Sequence, residues 1–417
     1  MARKLEASAV PSGWRYDLLD KFAIRRSGHT PSKSYPEYWN GGVKWISLTD
    51  SYRLDKGYIY RTDKEISLEG IENSSAELHP AETVVLSRDA GIGKSGVMAE
   101  AMAVSQHFIA WRCDNKKKLN SWFLYNWLQL NKAEFERQAV GSTIKTIGLP
   151  YFKKLKIAVP PYSEQQKIAQ ILSTWDKTIA TTEQLLANSQ QQKKALMQQL
   201  LTDKKRLLED NGVRFSGEWK KVKLGSIADM NSGGTPKSNV EEYYGGDIPW
   251  VSIADMTKHG KWISSTEKHL TPLGLENSSA RIYPKNSVLY AMYASIGECS
   301  IAQVPLSSSQ AILGIRPKAV LDFEFLYFFL CSLKEKIKLQ GQQGTQSNLN
   351  AGMVKDFMLN LPSMAEQQKI ASVLSTADLE ITALQQQVDA LKQEKKALMQ
   401  QLLTGKRRVK INDKEVA

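Results

Sequence analysis

Cysteine is scarce: the 417 residues hold three, Cys113, Cys299 and Cys331. They have no metal-ligand spacing, so they give no basis for a zinc site or disulfide framework and suit a reducing cytosol. The five histidines, His29, His79, His107, His259 and His269, form no metal-spaced cluster. Long apolar runs are missing too. The most apolar stretch, Phe323–Cys331, is too short to span a bilayer, and Met1–Trp14 shows no secretory signal. The expectation is a soluble, cytoplasmic chain that does not enter a membrane.

Catalytic motifs are equally hard to find. Gly91–Ser95, followed by Gly96, resembles part of a phosphate-binding loop. The position that pattern needs as glycine is Arg88, however, and the matching segment Ser295–Ser300 lacks a lysine. Val159–Tyr162 reads VPPY, but a site that holds a target amino group requires an amide, hydroxyl or carboxylate where Val159 stands. No glycine-rich S-adenosylmethionine loop accompanies it. A metal nuclease needs spaced carboxylates and a lysine, and only Asp203–Lys205 and Glu394–Lys396 come near that pattern. The chain is expected to catalyse nothing and to carry no cofactor or metal of its own.

A repeat dominates what is present. Glu164–Arg206 recurs at Glu366–Arg408, with 25 of 43 positions identical at an offset of 202. EQQKIA opens both copies and KKALMQQLLT lies near the end of both. The second copy places Ile370, Leu374, Ala377, Ile381, Leu384, Val388, Leu391, Leu398 and Leu402, with Lys395 completing the row, at alternating spacings of four and three, the seam of a coiled coil. The first copy keeps the row at Ile168, Leu172, Trp175, Ile179, Leu186, Leu196 and Leu200, and is polar at Thr182, Ser189 and Lys193. Each stripe is expected to cover the other. Ser163 with Gln166, and Ser363 with Glu366, fit capping boxes after prolines, and the basic runs Lys204–Arg206 and Lys406–Arg408 suit helix C-termini. A helix of some forty residues is roughly 60 Å long.

A globular unit precedes each helix, and the two units also match. SGHTP (Ser27–Pro31) answers SGGTP (Ser232–Pro236), the segments around Trp45 and Trp250 align, and GIENSSA (Gly70–Ala76) answers GLENSSA (Gly274–Ala280). Short β-rich runs such as Val43–Ser47 and Ser287–Tyr290 alternate with turns, and one helix, near Leu119–Gln138 or Asp322–Gln340, precedes a polar loop. The expected class is α+β: two pseudo-symmetric mixed α/β units separated by two long antiparallel coiled-coil helices. The expected segments are 1–161, 162–210, 211–363 and 364–417. Trp39, Trp45 and Trp250 read as core. The net charge of +13 points to a polyanionic partner; residues 1–161 carry +7 of it and 208–363 carry +1.

Taken together, a unit ending in P(P)-x-x-EQQKIA, a helix closing on KKALMQQLLT-x-K, and the duplication of both resemble the specificity subunit of Type I restriction–modification systems. The resemblance runs from Trp14 to about Val409. It implies that each unit is a target-recognition domain reading one half of a split site on double-stranded DNA. It implies that the helices set the unread spacer, a rod of about 17 base pairs at most, and dock two methyltransferase subunits. Restriction subunits can join them. S-adenosylmethionine, ATP and magnesium are expected on those partners, not here. The alternative is a tandem-repeat coiled-coil scaffold joining proteins, without sequence-specific DNA binding.

If the units read different bases, the readers are polar loop residues that differ between copies. In the first unit these are His29, Lys33, Ser34, Tyr35, Arg88, Lys94, Ser95, Thr143, Lys145 and Thr146. In the second they are Lys237, Ser238, Asn239, Tyr293, Glu298, Gln346, Ser347 and Asn348. Arg and Lys suit guanine, Asn and Gln suit adenine, and Glu accepts from cytosine N4.

Overall fold

The computed structural model describes residues 10–141, 145–342 and 349–411. The chain forms two compact units, Met1–Glu183 with Gln386–Ala417, and Gln184–Gln385. The expected segment boundaries at 161/162 and 363/364 fall at the helix starts. Packing divides the chain elsewhere, because each long helix gives its first half to one unit and its second half to the other.

In the first unit, strand Arg15–Leu18 pairs antiparallel with Lys156–Val159 and closes the globular part just before the helix. A five-stranded sheet runs in the order Ile24–Ser27, Phe108–Arg112, Val84–Ser87, Ser95–Met98, Tyr58–Ile59. A three-stranded sheet runs Lys64–Ile66, Trp39–Ile46, Ala103–Val104. Alternation along the central strand sends Val84 and Leu86 toward a core with Phe123, Leu124 and Leu128, and Val85 toward Ile46, Met98 and Val104. The strand is covered on both faces, which is why it reads as a continuous apolar run.

The second unit repeats this plan. Lys220–Lys223 pairs with Met358–Leu361. The five-stranded sheet runs Ala228–Ser232, Ile312–Pro317, Val288–Ala291, Cys299–Ala302, Trp262–Ile263, and the three-stranded sheet Lys268–Leu270, Tyr244–Val251, Ser307–Ser308. Motifs shared by the copies have structural work. Ser47 with Asp50, and Ser252 with Asp255, form capping boxes, and each aspartate also accepts a distant backbone N–H, from Asp63 at 2.8 Å and Glu267 at 2.9 Å. Asn40 (φ 58°) and Gly245 (φ 82°) occupy the left-handed region at matching bulges. Trp45 and Trp250 are buried, and Trp39 packs edge-on against Trp45. The expected single helix is broken in the first unit into Ser121–Leu130 and Lys132–Gln138, because the Asn131 side chain donates to the Trp127 carbonyl at 2.8 Å. In the second unit Phe323–Gln342 is continuous.

The long helices are Tyr162–Leu200 and Met364–Leu402. They stop short of Arg206 and Arg408. Asp203 (φ 60°) and Gly405 (φ 69°) turn left-handed, and the Lys204 N–H bonds back to the Gln199 carbonyl. Within the first unit, Ile168 and Leu172 share a core with Leu398, Met399, Leu402 and Leu403; within the second, Ile370 and Leu374 share one with Leu196, Met197, Leu200 and Leu201. The start of one helix therefore lies beside the end of the other, and the pair is antiparallel. Ile179, Leu186 and Val388 are buried, and Trp175, Ile381, Leu384 and Leu391 are half-buried. One expectation needs refining: each helix start packs on a globular core as well as on the end of the other helix. Polar interruptions are paired, Lys193 with Asp378 and Lys395 with Asp176.

The capping boxes are corrected. Ser163 lies inside its helix, one residue past Tyr162, and Ser363 accepts from the Glu366 N–H while the Glu366 side chain is committed elsewhere. Glu366 and Glu164 are each 1% exposed. Arg206 Nε and Nη2 donate to both oxygens of Glu366 at 2.6 and 2.7 Å, with Trp219 Nε1 at 3.0 Å. Arg408 grips Glu164 the same way, at 2.7 Å twice. Next in sequence, Gln165 bonds Pro160 O, Lys118 O and Asn120 N, and Gln367 repeats this on Pro362 O, Val320 O and Asp322 N.

Two tests follow from this packing. Arg206→Met strands Glu366 as an unpaired buried charge and should cost about 3 kcal/mol in denaturant unfolding of the full chain. Adding Glu366→Gln should restore more than half, and purely additive losses would show that the pair is uncoupled. The second test concerns His79, which is fully buried with no partner for either ring nitrogen among the described residues; burial holds its pKa below the ordinary 6.5. The unfolded chain takes up that proton below about pH 6.5 and the folded chain does not, so stability falls with pH there, by up to about 1.4 kcal/mol per unit. His79→Met should flatten this fall between pH 6.5 and 5.

Candidate nucleic-acid interface

In the first unit, one end of the five-stranded sheet is formed by Ser27, Phe108, Ser87 and Ser95. The loops leaving that end are stitched together. The His29 N–H bonds Val104 O at 3.0 Å, the Arg88 N–H bonds His107 O at 3.0 Å, and the Ile147 N–H bonds Arg88 O at 2.9 Å. Segments near residues 29, 88, 107 and 147 thus converge on one edge. The second unit does the same, with the Met292 N–H on Ala311 O at 2.9 Å and the Leu349 N–H on Met292 O at 3.2 Å.

Of the candidates in the first unit, His29, Lys33, Ser34 and Lys145 are exposed, and Tyr35, 50% exposed, stacks on Tyr38 at 4.9 Å. In the second, Lys237, Ser238, Asn239 and Tyr293 are exposed. Thr143, Gln346, Ser347 and Asn348 lie outside the described residues.

Ser95 is corrected to a supporting position, and Lys94, Arg88, Glu298 and Thr146 have partners within their own units. Ser95 is fully buried; its N–H bonds Asp55 Oδ1 at 3.0 Å and its hydroxyl accepts from Gln129 Nε2 at 2.8 Å. Lys94 donates to the Ser51 carbonyl and hydroxyl at 3.2 Å each, and Arg88 Nε donates to Ile147 O at 3.1 Å. Glu298 is paired with Lys334, and Thr146 donates to Asp89.

Two residues at this edge escape the sequence reading. Asp89 accepts from the Thr146 hydroxyl through Oδ1 and meets His107 Nδ1 through Oδ2. The second unit places Tyr293 and Ala311 at these positions, following Met292 where the first unit has Arg88. The difference between copies was visible; what brings 89, 107 and 146 together was not. Among the described residues no cluster of His, Cys, Asp and Glu could hold a metal ion, and no helix is long and apolar enough to cross a membrane.

The family model for the Type I restriction modification DNA specificity domain matches twice, over residues 11–188 and 216–393. The chain belongs to this family. Each matched stretch holds one target-recognition domain and most of the spacer helix that follows it. A putative type I restriction enzyme MjaX specificity subunit from Methanocaldococcus jannaschii is 24% identical over 98% of this chain and 97% of its own length. The MjaIX specificity subunit of the same organism is 34% identical over 39% of this chain, which spans 38% of that relative. Among solved structures, a Type-I restriction-modification S subunit from M. genitalium aligns with TM-score 0.57 at 14% identity, covering 98% of this chain and 99% of that one. A chain from a type I R-M complex-assembly study aligns with TM-score 0.60 at 17% identity, covering 95% and 99%. At such identities these likenesses show the fold.

Supporting and surface positions in the target-recognition domains should separate experimentally. Ser95→Ala removes a buried partner of Gln129 and should lower stability by about 1–2 kcal/mol while leaving sequence preference untouched. A changed preference at unchanged stability would return Ser95 to the reading set.

Proposed function

We propose that this specificity subunit selects the DNA on which a methyltransferase and a nuclease act, each target-recognition domain reading one half of a gapped site. One observation carries the reading: a scaffold built twice with the same strand order presents different chemistry at the same end of the sheet, Asp89 and His107 against Tyr293 and Ala311. Sequence is read at base edges in the major groove, whereas phosphate contacts only set register. Two readers with unlike edges suit an asymmetric, bipartite target. The spacer helices set the separation between halves and dock two methyltransferase subunits, to which restriction subunits can add. Adenine methylation, with base extrusion, and cleavage then occur on those partners, which bring S-adenosylmethionine, ATP and magnesium; this chain binds none of them. It works in the cytoplasm.

The deciding experiment is single-molecule methylome sequencing of the source cell with and without the gene. Loss of one bipartite, gapped adenine-methylation motif is expected. An unchanged methylome, together with no sequence-dependent affinity of the purified chain co-expressed with its methyltransferase, would leave the scaffold alternative. Lys145→Ala should alter one half-site only, and a turn added to both spacer helices should lengthen the gap without changing either half.

A further inference from the structure

The Asp89–His107–Thr146 cluster belongs to no repeated motif, and its chemistry is specific. Asp89 is 14% exposed at its side chain and His107 is 33% exposed. A carboxylate only accepts, so its hydrogen-bond partners must be donors: the Thr146 hydroxyl on Oδ1 and the His107 Nδ1–H on Oδ2, with Arg88 Nε a further 3.8 Å from Oδ1. That contact fixes the ring. With Nδ1 carrying the hydrogen, the neutral imidazole leaves Nε2 as an acceptor. Thr146 and the backbone bridge from Arg88 N–H to His107 O hold the carboxylate and the ring from two sides. The second unit, with Tyr293 and Ala311, has no counterpart.

We infer that His107 is a specificity-determining residue of the first target-recognition domain. Its Nε2 accepts from an exocyclic amine, adenine N6 or cytosine N4, at one position of the first half-site. Asp89 is a positioning residue that selects the ring tautomer. This inference rests on the recognition reading above and names the base chemistry of one contact within it.

The tautomer provides a test that a merely structural role would not satisfy. In Asp89→Asn, the Arg88 guanidinium, with Nε 3.8 Å from the Oδ1 position, favours the amide oxygen on that side, where the Thr146 hydroxyl can still donate to it, so the amide NH2 is turned toward His107 Nδ1. The hydrogen then moves to Nε2, which becomes a donor. The probe is a duplex library randomised over the first half-site found for the parent, with the second half-site fixed, bound by the full chain co-expressed with its methyltransferase subunit. Asp89→Asn should convert one position from adenine or cytosine toward guanine or thymine, whose major-groove edges offer O6/N7 or O4 acceptors. His107→Ala should flatten the same position, by roughly tenfold in discrimination. His107→Gln, which can accept or donate, should retain part of it and serves if the alanine variant is unstable. A second library, randomised over the other half-site, should be read identically by all variants. An unchanged first half-site in both the Asp89 and His107 variants, or equal weakening on matched and scrambled duplexes, overturns the assignment. A parent without any bipartite preference would overturn the recognition reading itself.

Discussion

Two glutamates at helix starts, Glu164 and Glu366, sit where water hardly reaches, and the rest of the molecule depends on how their charge is met. A buried carboxylate is tolerable only with strong donors in good geometry. Here the donor is an arginine that follows the end of the opposite helix, offering two parallel N–H groups. That contact cannot form unless both helices reach their full length, turn left-handed at Asp203 or Gly405, and lie antiparallel. Ionic geometry therefore fixes what the apolar seam alone leaves loose, since a row of Leu and Ile tolerates sliding by a heptad. Lys193 with Asp378 and Lys395 with Asp176 add a second fixed point to each half.

The neighbouring glutamines extend the same constraint into the globular parts. Gln165 and Gln367 each satisfy three backbone groups of the segments leading into the helix and its preceding domain. A target-recognition domain is thus tied to the helix start by hydrogen bonds as well as by the core that Ile168 and Leu172, or Ile370 and Leu374, complete. Rigid attachment matters for a reader, because a side chain recognises a base edge only when its approach is defined to a fraction of an ångström.

How much of this the chain declared in advance varies by level. The helices, their antiparallel pairing and the double-unit plan were legible because duplication exposes them and a 3.5-residue apolar period has one structural meaning. Strand order was not legible: pairing Ile24–Ser27 with Phe108–Arg112 joins residues some eighty positions apart, and no local pattern encodes it. The interface was legible only in part. Choosing residues that differ between copies also selects compensated structural pairs. Lys132 and Lys334 are matching lysines; one meets Asp55 and the other Glu298, so Lys94 and Glu298 diverge for reasons of internal charge. The same rule would have admitted Asp89 and His107, but their meaning lies in a proximity that only the sheet creates.

The division of each helix between two units has a consequence for synthesis on the ribosome. The second unit, Gln184–Gln385, is one continuous stretch, and every partner its core requires has been made once Gln385 emerges. The first unit is not continuous. Its opening 183 residues wait, with Ile168 and Leu172 only partly covered and Glu164 without its arginine, for Gln386 onward to arrive. Folding order is thereby reversed relative to translation order. The domain made first is the last to be finished, and a chain released early would carry an apolar helix face that its own missing tail was meant to cover.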